Sequence, residues 1–214
     1  MLGGVRDLVG YFGNVGSRAR VAFALIVAAT VGQLLLAILA PGLPQFAGKA
    51  FGARLVFYPL MMLLPVAAWS LISRARGVPR NLPWAGFALI GAPFLIDVSG
   101  NTLDLYDSIW WWDDANHYFN WMLLCLGVGF LIERGGVRPR WAMALLITGL
   151  GALMAIVWEL GEWYTFIRHS NELSTAYEDT LGDEALGSLG GLTAALIFTL
   201  VRGAGHMPTP REGA

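Results

Sequence analysis

Charge is scarce in this chain. Only 14% of its 214 residues are Asp, Glu, Lys or Arg, where a soluble domain carries about 25%. Hydrophobic residues reach 56% and mean hydropathy is +0.58, so much of the folded surface must face something other than water. Cysteine is nearly absent: Cys125 stands alone in an apolar run, which excludes an internal disulfide and any cysteine-rich metal site. The net charge is −1, so no basic field argues for nucleic acid, and no nucleic-acid partner is expected. No Ser or Cys nucleophile motif is present, and no inverted repeat of the kind found in transporters is evident. A cleaved signal peptide is not evident either. The apolar run after Arg6, Arg18 and Arg20 is long enough to span and lacks a small-residue cleavage site at its end.

What the chain has instead is long apolar windows. A spanning helix needs roughly 20 mostly apolar residues, and six windows qualify, at about 20–40, 53–73, 83–104, 114–132, 141–164 and 183–201. Turn and charge punctuation separates them, as in Pro41-Gly-Leu-Pro44, Arg74 to Arg80 and Glu133 to Arg140. The expected architecture is an all-α, polytopic membrane bundle of about six transmembrane helices. Residues 1–19 precede it, as an interfacial helix or a loosely ordered tail; residues 20–201 form the bundle, and residues 202–214 a tail.

Orientation follows from Lys and Arg in the loops. Three stand in the N-terminal segment, three in the second loop (Arg74, Arg76, Arg80), three in the fourth (Arg134, Arg138, Arg140) and two in the tail (Arg202, Arg211). The alternate loops hold Lys49 and Arg54, none, and Arg168. Eleven against three puts both termini in the cytoplasm. Trp110, Trp111, Trp112, Trp158 and Trp163 then form an outer aromatic belt, with Trp84 and Trp141 marking the inner side.

Ionisable side chains inside a bilayer cost several kcal/mol unless paired, hydrated or bound to an ion, so each needs an account. The third window carries Asp97, Asn101 and Asp104 at i, i+4, i+7, on one helical face. The fourth opens with Asp113, Asp114, His117 and Asn120, with His117 one turn beyond Asp113. The fifth ends with Glu159 and Glu162 at i, i+3, and Asp179 and Asp183 lead into the sixth. Because neighbouring spans run in opposite directions, these positions fall at one level, on the outer side.

Six or more carboxylates, with no intramembrane Lys or Arg expected among them, cannot all ionise in a low-dielectric site. Either several are protonated or a cation neutralises them. Carboxylates plus one imidazole suit a divalent ion. The expected ligands are Asp113, His117, Glu162, Asp179 and Asp183, with His117 or Glu159 as general acid or base. Asp113 could instead orient the imidazole from outside the ligand set. Asp97, Asn101, Asp114 and Asn120 form a supporting polar stripe. The competing reading is a hydrogen-bonded network that only fixes helix packing. Glu172, Glu178 and Glu184 read as solvated surface, and Gly187, Gly190 and Gly191 as a close-packing helix face.

The order of these motifs resembles the VanZ-like and YjdF-like group of small bacterial membrane proteins. The likeness rests on Asp113-Asp-Ala-Asn-His117, Glu159-Leu-Gly-Glu162 and Asp179-Thr-Leu-Gly-Asp183 followed by Gly187 and Gly191, and covers about residues 90–200. That group commonly has a basic residue after the aspartate, where this chain has Asp114; the change makes a bound cation or proton more plausible here than an internal ion pair. The resemblance implies a multi-pass protein of the bacterial inner membrane, surrounded by lipid. Three functions fit the residues. One is an enzyme, metal-dependent, acting on a lipid or envelope-linked substrate. The others are a proton- or ion-coupled transporter and a non-catalytic accessory protein. The substrate, the ion's identity and the oligomeric state are left open.

Overall fold

A computed structural model describes the backbone of residues 3–77, 82–137, 139–165, 167–169 and 171–204, and side chains over 16–77, 82–137, 139–165, 167–168 and 173–200. Among the described residues the chain is helical without strands: α1 (Gly3–Leu39), α2 (Phe51–Ala75), α3 (Trp84–Thr102), the short α4 (Leu105–Ser108), α5 (Trp112–Arg134), α6 (Arg140–Thr165) and α7 (Ala176–Ala204). Short 3-10 turns lie at Pro44–Phe46, Ile167–His169 and Asn171–Ser174.

Among the described residues, five segments are long and apolar enough to cross a membrane: Gly16–Leu39, Phe51–Ala75, Trp112–Arg134, Arg140–Thr165 and Ala176–Leu200. The remaining long helix is α3, whose 19 residues end in the polar run Asp97, Ser99, Asn101 and Thr102. It packs mainly against α1 and α5 and buries Phe87, Ile90, Phe94 and Val98. A helix enclosed by protein need not be apolar all round, because lipid does not touch its polar stripe. The bundle therefore has five plainly apolar spans and a sixth helix that neighbouring helices shield.

Two expectations about boundaries change. The last helix begins at Ala176, not near 183, so Asp179 belongs to its first turn. At the other end α1 runs from Gly3 to Leu39 without a break at residue 19; the side chains of 1–15 lie outside the described residues. In the tail, α7 continues to Ala204, and Arg211 lies outside the described residues.

The interior divides into two cores. Leu34, Phe46, Phe51, Tyr58, Met62, Phe94 and Val98 join α1, α2 and α3. Cys125, Met143, Ile147, Ala194, Ala195 and Phe198 join α5, α6 and α7. Cys125 is a buried free thiol. Helix α7 wedges between α5 and α6, and glycine makes this possible. A Cβ at Gly190 would collide with the Tyr118 carbonyl oxygen, and one at Gly191 would sit 3.2 Å from the Gly151 Cα. The glycines thus form the close-packing face read from their spacing. Large apolar side chains such as Leu25, Leu64, Leu145 and Leu200 point outward, as they do where lipid is the solvent.

The tryptophans split into two kinds. Trp110 (89% exposed) and Trp141 (70% exposed) face outward, as belt residues do. Trp158 does not serve only as a belt anchor: it packs against Tyr58 with ring centroids 6.4 Å apart. Trp84 leans on Phe23 and Phe87, which sets the start of α3 beside the early part of the apolar span Gly16–Leu39.

Candidate functional site

The alternation of helix directions brings the start of α2, the end of α3, the start of α5, the end of α6 and the start of α7 to one end of the bundle. Two polar groups form there.

The first is built around His117, one turn into α5, where Trp112 to Asp114 open the helix. Its Nε2 lies 3.7 Å from Asp113 Oδ1 and 3.6 Å from Asp183 Oδ2. On the other side of the ring, Nδ1 lies 3.8 Å from Glu159 Oε1. The side chains of Glu159 and Asp183 are only 4% and 7% exposed, that of His117 10%, and Asp113 opens outward at 46%. None of the three separations is a hydrogen bond, for which N to O stays below about 3.2 Å. His117 Nδ1 is buried and has no hydrogen-bond partner. The distances instead approach the edge of a tetrahedral ion site, where ligands about 2.0–2.2 Å from the ion stand roughly 3.3–3.6 Å apart. Two donor sets are compact enough, with all ligand atoms within 4.8 Å of one another: Asp113, His117 and Asp183; and His117, Glu159 and Glu162. His117 belongs to both sets.

The second group was not foreseen. Arg54, in the first turn of α2, donates from Nη1 to Asp97 Oδ2 at 2.7 Å, and both side chains are largely buried (13% and 15% exposed). Tyr58 donates its hydroxyl to the same oxygen. Tyr106 in α4 donates to Asp97 Oδ1 at 2.8 Å, and Asn101 Nδ2 to that oxygen at 3.2 Å. The carboxylate thus has four donors, one of them a cation, which saturates its acceptor sites. This corrects the expectation that no Lys or Arg reaches the acidic residues. Arg54 counted only as a loop charge in the orientation reading, yet it falls one helical turn before Tyr58 and on the same face. That i, i+4 pair was the available signal. Burial pushes the Tyr106 phenol well above its ordinary range, and the neighbouring Asp97 charge adds to this.

The remaining candidates, apart from Asn101, fall outside both groups. Asn101, grouped in the sequence with the supporting stripe, donates to Asp97 and not to the His117 cluster. Asp104 does not share that face, because α3 stops at Thr102 and Asp104 takes a left-handed conformation at φ 61°. It meets Lys49 at 3.5 Å, while Asp107 takes Lys49 Nζ at 2.5 Å. That hydrogen bond from Lys49 holds the Asp107 carboxyl below the usual range. Asp114 is exposed on α5, and Asn120 donates to Asn116 Oδ1 at 3.0 Å. Asn116, buried and absent from the sequence reading, donates in turn to the Trp112 carbonyl. Asp179 is exposed, one turn before Asp183, and belongs to neither compact donor set. Thr180 hydrogen-bonds Glu159 and also lines a groove of about 480 Å³ with Trp163, Leu173, Tyr177, Leu181 and Glu184. Thr180 is thus shared between the buried carboxylate and the groove. Glu178 is exposed and Glu184 half-buried on the groove wall, while the side chain of Glu172 lies outside the described residues.

Fold and site together define a polytopic helical membrane protein with an imidazole–carboxylate cluster at one end. Residues 19–204 match the family described as "Predicted membrane protein (DUF2238)", and the chain belongs to that family. No curated protein and no solved structure matches it.

Proposed function

We propose that this protein is a membrane-embedded, metal-dependent enzyme acting on a lipid or envelope-linked substrate. The carrying observation is the His117 cluster: an imidazole nine-tenths buried, with three carboxylates at 3.6–3.8 Å and no hydrogen bond on Nδ1. Asp113, His117 Nε2 and Asp183 would hold one divalent cation, whose chemistry is to activate water and stabilise developing negative charge. Glu159, across the ring from that cation and bonded to Thr180, would orient the imidazole from its Nδ1 side and serve as general acid or base toward a substrate group on its own side of the ring. Glu162 stands behind it as an alternative ligand through the second donor set, and Asp179 as an outer carboxylate. Water is the nucleophile in this reading, since no Ser or Cys nucleophile motif is present in the sequence.

The groove beside Thr180 supports a substrate with an apolar part, because Trp163, Leu173 and Leu181 line it at the end of two spans. The motif order shared with the VanZ-like and YjdF-like proteins fits the same reading, as does a bacterial inner-membrane location. The excess of basic residues at the far end of the bundle supports a site on the outer side with both termini cytoplasmic. A single cysteine placed at Ile109 should react with an impermeant thiol reagent on intact cells; reaction only after permeabilisation would reverse that orientation.

The test of the site is metal content. Protein purified without chelators should carry one divalent ion per chain, lost in His117→Ala and Asp183→Asn and kept in Glu159→Gln, while Glu159→Gln loses turnover of envelope lipid extract. Metal-free wild type whose thermal stability ignores added Zn, Mn, Mg or Ca would sink the proposal.

A further inference from the structure

At the opposite end of the molecule, a second groove of about 520 Å³ runs along the surface between α1, α2 and α3. Its walls are Arg20, Ala24, Val27, Ala28 and Val31 on α1, facing Leu63 and Val66 on α2. The α1 positions follow the i, i+3, i+4 pattern of one helical face, and the small side chains of Ala24 and Ala28 leave the trough. Phe23, buried beneath, forms its floor. Every lining residue is apolar except Arg20, which stands at one end beside Trp84.

Geometry and charge narrow the occupant. From Arg20 to Val31 is eleven residues of helix, about 16 Å at 1.5 Å per residue. That is close to one leaflet of a hydrocarbon core about 30 Å thick. An apolar trough one leaflet deep, with a guanidinium at its mouth and a tryptophan at headgroup level, matches one acyl chain beneath an anionic headgroup. Arg18 on α1 and Arg74 and Arg76 at the end of α2 lie at the same end of the bundle, so the local field has the same sign. We propose that this groove is a binding site for an anionic phospholipid of the leaflet on the Arg20 side. The headgroup phosphate pairs with Arg20 and one acyl chain lies along Ala24, Ala28 and Val31. This site is independent of the His117 cluster and stands or falls separately from it.

The experiment is native mass spectrometry of the full chain released from membranes in mild detergent, paired with thermal unfolding in phosphatidylglycerol or phosphatidylcholine micelles. One phospholipid per chain should remain bound, enriched in anionic headgroups over the bulk membrane. Arg20→Gln should lower the anionic preference about fivefold, the effect of one basic residue at an anionic surface. Ala28→Phe, at an exposed position where the added ring fills the trough, should remove the lipid altogether. Phosphatidylglycerol should raise the unfolding temperature of wild type but not of Arg20→Gln. Retained lipid of bulk composition, or an unchanged preference in Arg20→Gln, would overturn the proposal.

Discussion

The two polar groups at the site end of the bundle contain similar residues and are assembled in opposite ways. Around Asp97, one carboxylate receives a guanidinium, two phenols and an amide, all within hydrogen-bond distance. Around His117, three carboxylates approach one imidazole and none comes within bonding distance. A buried charge that is fully paired is part of the scaffold, since nothing further can be gained there by binding. Where buried carboxylates such as Glu159 and Asp183 crowd one imidazole whose Nδ1 has no hydrogen-bond partner, protons or a cation must offset the like charges. The contrast separates a saturated node from an unsaturated imidazole–carboxylate cluster within one helical layer, although both read alike as acidic stripes.

The largest effect should come from breaking the saturated node. Arg54→Met leaves Asp97 as an uncompensated buried carboxylate and should cost about 3–5 kcal/mol of stability, read as a lowered unfolding midpoint in detergent. Adding Asp97→Asn should restore more than half of the loss, because the uncompensated charge is then gone. If Arg54→Met unfolds like wild type, the scaffold assignment is wrong.

The next effect sharpens the other side of the comparison by its sign. In metal-free protein, Asp183→Asn removes one of several crowded carboxylates and should raise stability by about 1 kcal/mol. Added divalent ion at a hundredfold excess over its dissociation constant should stabilise wild type by about 2.7 kcal/mol and leave Asp183→Asn unmoved. A destabilised metal-free Asp183→Asn would mean that the His117 group is a satisfied network like its neighbour.

The smallest effect belongs to Lys49, whose partners Asp104 and Asp107 are 47% and 63% exposed. Lys49→Ala should cost under about 1 kcal/mol, and less in high salt. Because Asp107 is held below its ordinary value near 3.8, the pair's contribution is present above that pH. It disappears as pH falls through the lowered value. Wild type and Lys49→Ala should therefore converge in acid; a gap that persists there would place the effect in packing.

The helices, their number and the level of the acidic residues were legible in the sequence, because hydropathy and helical spacing are properties of contiguous segments. Lipid imposes the first and 3.6-residue periodicity the second. The gathering of Asp113, His117, Glu159 and Asp183 followed from alternating helix directions alone. Three things required the tertiary structure. Asp97 left the candidate site because Arg54, 43 residues away, turned out to be its partner, and pairing across helices has no period in the sequence. Asp104 left the polar face because α3 ended two residues early, at Thr102. The split of the His117 ring into an Nε2 side and an Nδ1 side depended on how closely Gly187, Gly190 and Gly191 let α7 approach α5 and α6. Segment-level physics chose the end of the bundle where charge collects; packing distance decided that Asp97 meets a guanidinium at 2.7 Å while the carboxylates around His117 stop at 3.6–3.8 Å from its ring nitrogens.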